Sequence, residues 1–229
     1  MEFFILIGAI MLVSWLVSSN LKSKFRKYSQ IGLSMGLSGK EVAELMLRDN
    51  GIYDVDVVSV QGQLTDHYNP ANKTVNLSPE VYQGRSVMAA AVAAHECGHA
   101  IQHATAYRPL EMRSALVPIQ AASGRIMNMI FWALLLGAFV VNIISWQTAL
   151  PVIIGCYTIF TIFAFITLPV EYDATKRALA WIDQRGIVNG QEHEMATDAL
   201  RAASRTYLVA ALGSLAMLLY YVMMFLGND

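Results

Sequence analysis

One short stretch, AAHECGHAIQH at residues 93–103, carries the residues with the clearest capacity for chemistry. His95 and His99 are four residues apart, so on a helix they are separated by about 6 Å of rise and about 400° of rotation, and both imidazoles point the same way. Zinc binds imidazole nitrogens at about 2.0–2.1 Å, and a catalytic zinc keeps one position for water. Glu96 follows the first histidine, where it can take a proton from that water. The H-E-x-x-H pattern therefore predicts a zinc site with Glu96 as the general base, although such histidines can also be ordinary helix-surface groups.

A third protein ligand must come from elsewhere in the chain, because two histidines do not complete a metal site. His103 continues the stripe but lies about 12 Å from His95 along a straight helix, so we interpret it as a supporting or surface residue. Glu171, in LPVEYDATKRA, begins a second polar segment. A carboxylate is favoured at a helix N-terminus even without a metal. A glutamate on a separate helix downstream of H-E-x-x-H is nevertheless the gluzincin arrangement, so we predict that His95, His99 and Glu171 bind zinc.

The composition indicates a membrane protein. Of the 229 residues, 55% are hydrophobic and 14% are charged, whereas soluble domains carry about 25% charged residues. The net charge of −1 gives no reason to expect a nucleic-acid partner. A spanning helix needs about 17–25 predominantly apolar residues. Four uncharged runs meet this need, so we predict transmembrane helices at residues 3–19, 126–144, 149–168 and 207–226.

The distribution of basic residues predicts the orientation. All 16 Lys and Arg residues lie in the segments 20–125 and 169–206. Cytoplasmic loops of membrane proteins are enriched in these residues. We therefore expect a multi-pass protein of the cell membrane with both termini outside, both long segments in the cytoplasm, and the site at the cytoplasmic face.

The two cytoplasmic segments contain the elements that must position the site. Ser38 and Glu41 form a capping-box pattern, which predicts a helix ending near Gly51. A valine-rich strand should follow, and then a β-hairpin whose arms, 64–68 and 73–77, flank a turn. The H-E-x-x-H helix should run from about 85 to 107.

In the second segment, Pro169 predicts the start of a helix that ends before Gly186. Asn189 and Glu192 form another capping-box pattern, which predicts a helix leading into the last span. We therefore expect a mainly α integral membrane protein, a single unit over 1–229. It should combine four transmembrane helices with a cytoplasmic, zincin-like α+β catalytic domain containing a small β-hairpin or sheet.

Several motifs together give a family resemblance. HECGHAIQH, the downstream PVEYDATKRALAW, the upstream TDHYNP and KTVNLSPEVY, and the order of the four spans resemble the bacterial YugP-type neutral zinc metallopeptidases over nearly the whole chain. The resemblance implies that His95, His99 and Glu171 bind Zn²⁺ and that Glu96 is the general base. The chain more distantly resembles the HtpX-type membrane proteases, whose metal site lies at the cytoplasmic face.

The chain departs from those distant relatives in one respect. They carry Glu-x-x-x-Asp, in which the aspartate orients a zinc-binding histidine, but here Thr175 follows Glu171 by four residues. Asp173 lies about 200° around the helix from Glu171, so we expect it to face elsewhere. Zinc-bound histidines usually have such a partner, and Thr175 is only a weak candidate for it.

Zinc peptidases also need a group that stabilises the oxyanion of the tetrahedral intermediate. His67 and Tyr68, on the predicted hairpin, have suitable chemistry, and His67 is our candidate; alternatively, both residues pack or cap the turn. If the strand 73–78 is a sheet edge, it could hold a peptide by main-chain pairing.

Three functions are compatible with these features. We expect a membrane-anchored zinc metalloendopeptidase that acts on peptides or membrane proteins. A non-catalytic zinc-binding membrane scaffold or regulator is the alternative. An intramembrane site-2-type protease fits poorly, because the apolar run before His95 has only eight residues, 87–94. A transporter is disfavoured, because the spans hold no acidic residue, no Lys or Arg and no histidine.

Overall fold

The computed structural model describes residues 1–136 and 145–227. Within these ranges the chain forms seven α-helices and three short β-strands. The helices are α1 (Glu2–Ser29), α2 (Gly39–Asp49), α3 (Pro79–Tyr82), α4 (Val87–Ala104), α5 (Arg108–Leu135), α6 (Trp146–Gln184) and α7 (Gly190–Leu226). The strands are β1 (Asp56–Ser59), β2 (His67–Asn69) and β3 (Thr74–Leu77). The fold is therefore mainly helical with one small sheet, as the sequence predicts.

Three of the described helices are long and apolar enough to cross a membrane: α1, α6 and α7. They contain the predicted spans 3–19, 149–168 and 207–226 and extend well beyond the apolar runs. The fourth predicted span, 126–144, begins within α5, but residues 137–144 lie outside the described part of the chain.

The helix predicted to begin at Pro169 is not a separate element, so that prediction is wrong. Pro169 lies inside the 39-residue α6, which runs without interruption from Trp146 to Gln184. Proline removes one main-chain hydrogen bond from a helix. Membrane helices tolerate this loss because neighbouring helices and side chains can satisfy the freed backbone groups. Glu171 consequently lies on one continuous helix, which contains both the third apolar run and the start of the polar segment.

Both predicted capping boxes are present. Ser38 accepts a hydrogen bond from the Glu41 N–H and the Glu41 carboxylate accepts one from the Ser38 N–H, at the start of α2. Asn189 and Glu192 make the same reciprocal pair at the start of α7. These bonds satisfy main-chain donors that the first turn of a helix leaves unpaired.

The sheet has the strand order β1-β3-β2. β2 and β3 form the predicted antiparallel hairpin, whereas β1 pairs in parallel with β3. β3 is therefore the central strand, and the suggestion that residues 73–78 form a peptide-binding edge is wrong. Alternation alone could not have placed β1, because its parallel partner β3 is reached through the longer connection 60–73, which contains β2, rather than through a local turn.

Helix α4 lies at the centre of the fold, and its alanine-rich sequence allows close packing on several sides. Residues from Val87 to Ala94 are almost completely buried, and Val92 is the exception. Gly98 faces α6, and a β-carbon built at this position would lie 2.6 Å from the carbonyl oxygen of Ala174. The absence of a side chain at Gly98 therefore lets α4 approach the main chain of α6 just beyond Glu171.

Candidate metal centre

Two helices supply the three candidate ligands. His95 and His99 lie on one face of α4, as their spacing predicts, and Glu171 projects from α6 towards them. The His95 Nε2 atom is 3.4 Å from Glu171 Oε2, and the His99 Nε2 atom is 3.6 Å from the same oxygen. One donor atom from each residue lies within 4.8 Å of the others. The structure therefore brings together the three residues predicted to bind zinc.

These separations fit metal coordination better than direct hydrogen bonding. A strong N–H···O bond is about 2.7–3.2 Å long. In a tetrahedron, ligand atoms are about 1.6 bond lengths apart, so metal–ligand bonds of about 2.0–2.1 Å place neighbouring donors about 3.3–3.4 Å apart. The Glu171 Oε2 atom is buried and has no hydrogen-bond partner among the described residues. An unpartnered buried carboxylate oxygen is costly, and a cation held between the three donors would remove that cost.

Gln102 fixes the orientation of His99. The Gln102 side-chain amide donates to the carbonyl oxygen of Val170 and to the carboxylate of Asp173, both at 2.8 Å. Its oxygen therefore faces His99 Nδ1, at 3.0 Å, and must accept a hydrogen bond from the Nδ1–H group. In the neutral imidazole, the lone pair is then on Nε2, the atom that faces Glu171.

Asp173, which the sequence analysis expects to face away from the histidines, contributes to the site through another residue. Asp173 does not face the histidines, but it holds Gln102, and it is itself bonded by Arg177 at 2.6 Å. The support for His99 thus runs through Gln102. That residue is three positions after His99, on the same helix face, so the spacing rule that relates His95 to His99 could have indicated it.

Thr175 supports the other histidine. Its hydroxyl lies 3.3 Å from His95 Nδ1, which leaves the Nε2 atom of His95 facing Glu171. The hydroxyl can either donate or accept, so it constrains the ring less than Gln102 constrains His99. This contact agrees with the weak supporting role that the sequence suggested for Thr175.

The charges of the site stabilise one another. Burial alone would raise the pKa of Glu171, but the facing His95 and His99 side chains hold it well below the usual range for a glutamate. Burial alone would lower the pKa of His99, but Glu171 and Glu96 outweigh that effect and raise it. The site therefore favours an ionised carboxylate and a positive charge beside it, which can be a proton or a metal ion.

Glu96 is held by the sheet rather than by the metal ligands. Its side chain is buried, and its Oε2 atom accepts a hydrogen bond of 3.0 Å from the main-chain N–H of Tyr68 in β2. β2 is one of the two outer strands of the sheet, and this hydrogen bond shows that its free edge faces α4. A carboxylate fixed beside two histidines, but not among the ligand atoms, is placed as a general base requires.

A cavity of about 670 Å³ opens over these residues, between β2 and the first turns of α5. This volume is in the range of small-molecule and peptide-binding sites, about 300–1,000 Å³. Besides His95, Glu96, His99 and Glu171, its wall includes Glu111, Val117 and Tyr207. A molecule that enters the cavity therefore meets the imidazoles of His95 and His99 and the carboxylates of Glu96 and Glu171.

The two remaining histidines of the sequence analysis lie on the rim of this cavity. His67 is exposed, and its Nδ1 atom is 2.8 Å from the carbonyl oxygen of Thr65. His103 is also exposed, and its Nδ1 atom is 2.8 Å from the hydroxyl of Tyr68. His103 is outside the cluster of donor atoms. The structure leaves an oxyanion role for His67 as a prediction.

Two residues near Glu171 were not anticipated from the sequence. Arg113, on α5, places its Nη1 atom 4.0 Å from Glu171 Oε1, and its Nε atom is buried without a hydrogen-bond partner among the described residues. Tyr207, on α7, lines the cavity and interacts with Glu171 and Glu96. Both residues are more than 30 positions from Glu171 in the chain, and no local pattern connects them to the motif.

Comparisons with known proteins identify the family of the chain. Residues 3–226 match the model of a family described as "Putative neutral zinc metallopeptidase". The "Putative membrane protease YugP" of Bacillus subtilis (strain 168) is 42% identical over 228 residues, which cover 99% of this chain and 97% of that protein. No solved structure matches the chain. The family match spans nearly the whole chain, and the protein therefore belongs to this family of neutral zinc metallopeptidases.

Proposed function

We propose that the protein is a membrane-anchored zinc metalloendopeptidase whose active site lies at the cytoplasmic face of the cell membrane. The observation that carries the proposal is that the side chains of His95 and His99 lie close to a buried, unpartnered carboxylate oxygen of Glu171, with Glu96 beside them. The family match and the apolar helices support the same assignment. In this proposal the first three residues hold Zn²⁺ and Glu96 moves the proton.

When bound, zinc supplies Lewis-acid chemistry and lowers the pKa of a coordinated water towards about 7. Glu96 takes the proton of the attacking water on its carboxylate and then gives it to the nitrogen of the leaving amine. The Tyr68 N–H holds one carboxylate oxygen of Glu96 in place at 3.0 Å. Gln102 and Thr175 keep both imidazole rings in the orientation that points Nε2 at Glu171.

Negative charge that develops on the substrate carbonyl oxygen needs a donor. Tyr207 lines the same cavity as Glu96 and Glu171, so we place its hydroxyl ahead of His67 in this role. Replacing Tyr207 with Phe should lower kcat about 10²–10³-fold while zinc stays bound. His67→Ala is the matched comparison, and a larger loss of kcat from that variant would return the role to His67.

The proposed orientation explains which substrates can reach the site. All Lys and Arg residues lie in the two segments that we place in the cytoplasm. The cavity is formed where those segments meet the ends of the apolar runs on α6 and α7. Loosely structured proteins and loops of membrane proteins at the inner membrane surface are therefore the substrates that we propose.

The test is a cleavage assay on an unstructured protein such as casein, with the purified full chain loaded with zinc. Glu96→Gln keeps the size of the side chain but removes the base, so cleavage should fall by at least about 10²-fold with zinc content unchanged. Glu111→Gln is a matched control, because Glu111 is an exposed glutamate on the same cavity wall. If the unaltered, zinc-loaded protein cleaves no substrate, the scaffold function replaces this proposal.

A further inference from the structure

A second cavity, of about 700 Å³, lies between the polar ends of α6 and α7, and we call it the basic cavity. Its wall is formed by one face of each helix. The α6 residues Tyr172, Lys176, Leu179 and Asp183 recur at three or four positions, as do Arg201, Ser204, Arg205 and Leu208 on α7. Such spacing places each set on one side of its helix. The cavity therefore lies between the facing sides of two long helices. Its wall carries three cations, Lys176, Arg201 and Arg205, and one carboxylate, Asp183.

The positive charge of the basic cavity is not cancelled by the protein. Lys176 and Arg201 are exposed and have no hydrogen bond or ion pair within the described part of the chain. Arg205 is attracted by Asp198, but that carboxylate already accepts bonds from Lys24 and Tyr28.

The single carboxylate of the wall is partly engaged as well. Asp183 faces the imidazole of His193, with Oδ1 and Nδ1 3.8 Å apart. The net charge of the wall is therefore positive, which favours an anionic occupant.

Of these cations, Arg205 lies at the depth of the membrane headgroup layer, and Arg201 and Lys176 lie a few Å beyond it. Arg205 and Arg201 precede the apolar run 207–226 by two and six residues, about 3 and 9 Å along the helix, and Lys176 follows the run 149–168 by eight residues, about 12 Å. The headgroup region adds about 5–8 Å to each side of the hydrocarbon core. Long Lys and Arg side chains can reach from these depths to a lipid phosphate. Leu208 and Tyr172 provide apolar surface on the same wall.

We propose that the basic cavity binds the phosphate headgroup of an anionic phospholipid of the cytoplasmic leaflet. Arginine recognises phosphate through paired N–H donors, and basic pockets between transmembrane helices on the cytoplasmic side bind such headgroups. The proposal rests on the membrane orientation proposed above but not on peptidase activity, so the two can fail separately.

The experiment titrates dioleoyl phosphatidylglycerol into the full-length protein in a neutral detergent, with native mass spectrometry counting bound lipid. The test variant is Arg201→Gln combined with Arg205→Gln. The control variant combines Lys22→Gln with Arg26→Gln, which removes the same charge from exposed positions at the polar end of α1, outside the basic cavity. Thermal unfolding and zinc content confirm that each variant is folded.

We expect one tightly bound phosphatidylglycerol per chain, weakened about tenfold or more in the Arg201 and Arg205 variant and less than twofold in the control. Dioleoyl phosphatidylcholine should bind much more weakly, and millimolar inorganic phosphate should not displace the lipid. Equal weakening by both variants would show general surface attraction and overturn the proposal. Equal binding of phosphatidylcholine, or displacement by inorganic phosphate alone, would also overturn it.

Discussion

Replacing Gly98 with alanine should weaken zinc binding even though Gly98 has no side chain that could bind the metal. The new β-carbon would lie 2.6 Å from the carbonyl oxygen of Ala174, and ordinary contact begins at 3.4 Å. The two helices must therefore separate locally by up to about 0.8 Å, whereas ligand positions in a metal site tolerate only about ±0.2 Å. Glu171 is three residues from Ala174 on the same helix, so it moves away from His95 and His99.

The expected effect has two parts. Overpacking of this kind costs about 1–3 kcal/mol of folding stability, which corresponds to a fall in Tm of about 2–12 °C for a chain of this size. Displaced supporting contacts typically reduce metal affinity about 10–100-fold. A competition titration with a coloured zinc chelator measures the affinity, and thermal unfolding of the same sample measures the stability.

Gly155→Ala is the matched control for this substitution. Gly155 is also on α6, but a β-carbon there would meet no atom within 4 Å, so zinc affinity should be unchanged. If Gly98→Ala binds zinc as tightly as the unaltered protein, the close approach of α4 and α6 does not position the ligands, and this reasoning is refuted.

Three further predictions concern the support of His99, the cap of α7 and the membrane orientation. Gln102→Leu breaks the link between His99 and Asp173, so zinc affinity should fall about 10–100-fold in the chelator titration; unchanged affinity would exclude a supporting role for Gln102. Burial would raise the pKa of Glu192, but hydrogen bonds from Asn189 and Ser34 lower it. The ionised Glu192 therefore stabilises the fold fully above the usual glutamate pKa of about 4.3. This contribution to folding stability is lost as the pH falls through the pKa of the folded state. Glu192→Gln should therefore lower the Tm by a few °C at pH 7, with the difference shrinking towards pH 3; a constant difference would contradict the assignment. A cysteine placed at Gly190 should not react with a membrane-impermeant thiol reagent in intact cells, because the segment is proposed to be cytoplasmic. The native Cys97 and Cys156 are buried, so they should give little background labelling. Labelling of the new cysteine would reverse the proposed orientation.

The parts of the site that follow a helical repeat could be predicted from the sequence. The spacing of His95 and His99 fixes their relative direction on any straight helix, and the structure places Glu96 beside them on the same element. The capping boxes at Ser38 and Asn189 were likewise readable, because all their atoms come from four consecutive residues. Local geometry determines such features before any tertiary contact forms.

The remaining features depend on how distant elements pack. Arg113 and Tyr207 reach Glu171 only because α5 and α7 both pack near this part of α6. The role of Asp173 could not be read from its angle around α6, because the contact passes through Gln102 on another helix. β3 became the central strand because β1 pairs on its second side, a long-range contact that the hairpin pattern does not contain.

The central claim is that His95, His99 and Glu171 hold one zinc ion, and the most direct test is the zinc content of purified protein after exhaustive dialysis. The claim predicts about one zinc per chain in the unaltered protein and almost none in Glu171→Ala. His103→Ala should keep its zinc, because His103 is bonded to Tyr68 and lies outside the cluster of donor atoms. Full zinc content in Glu171→Ala, together with its loss from His103→Ala, would contradict the claim.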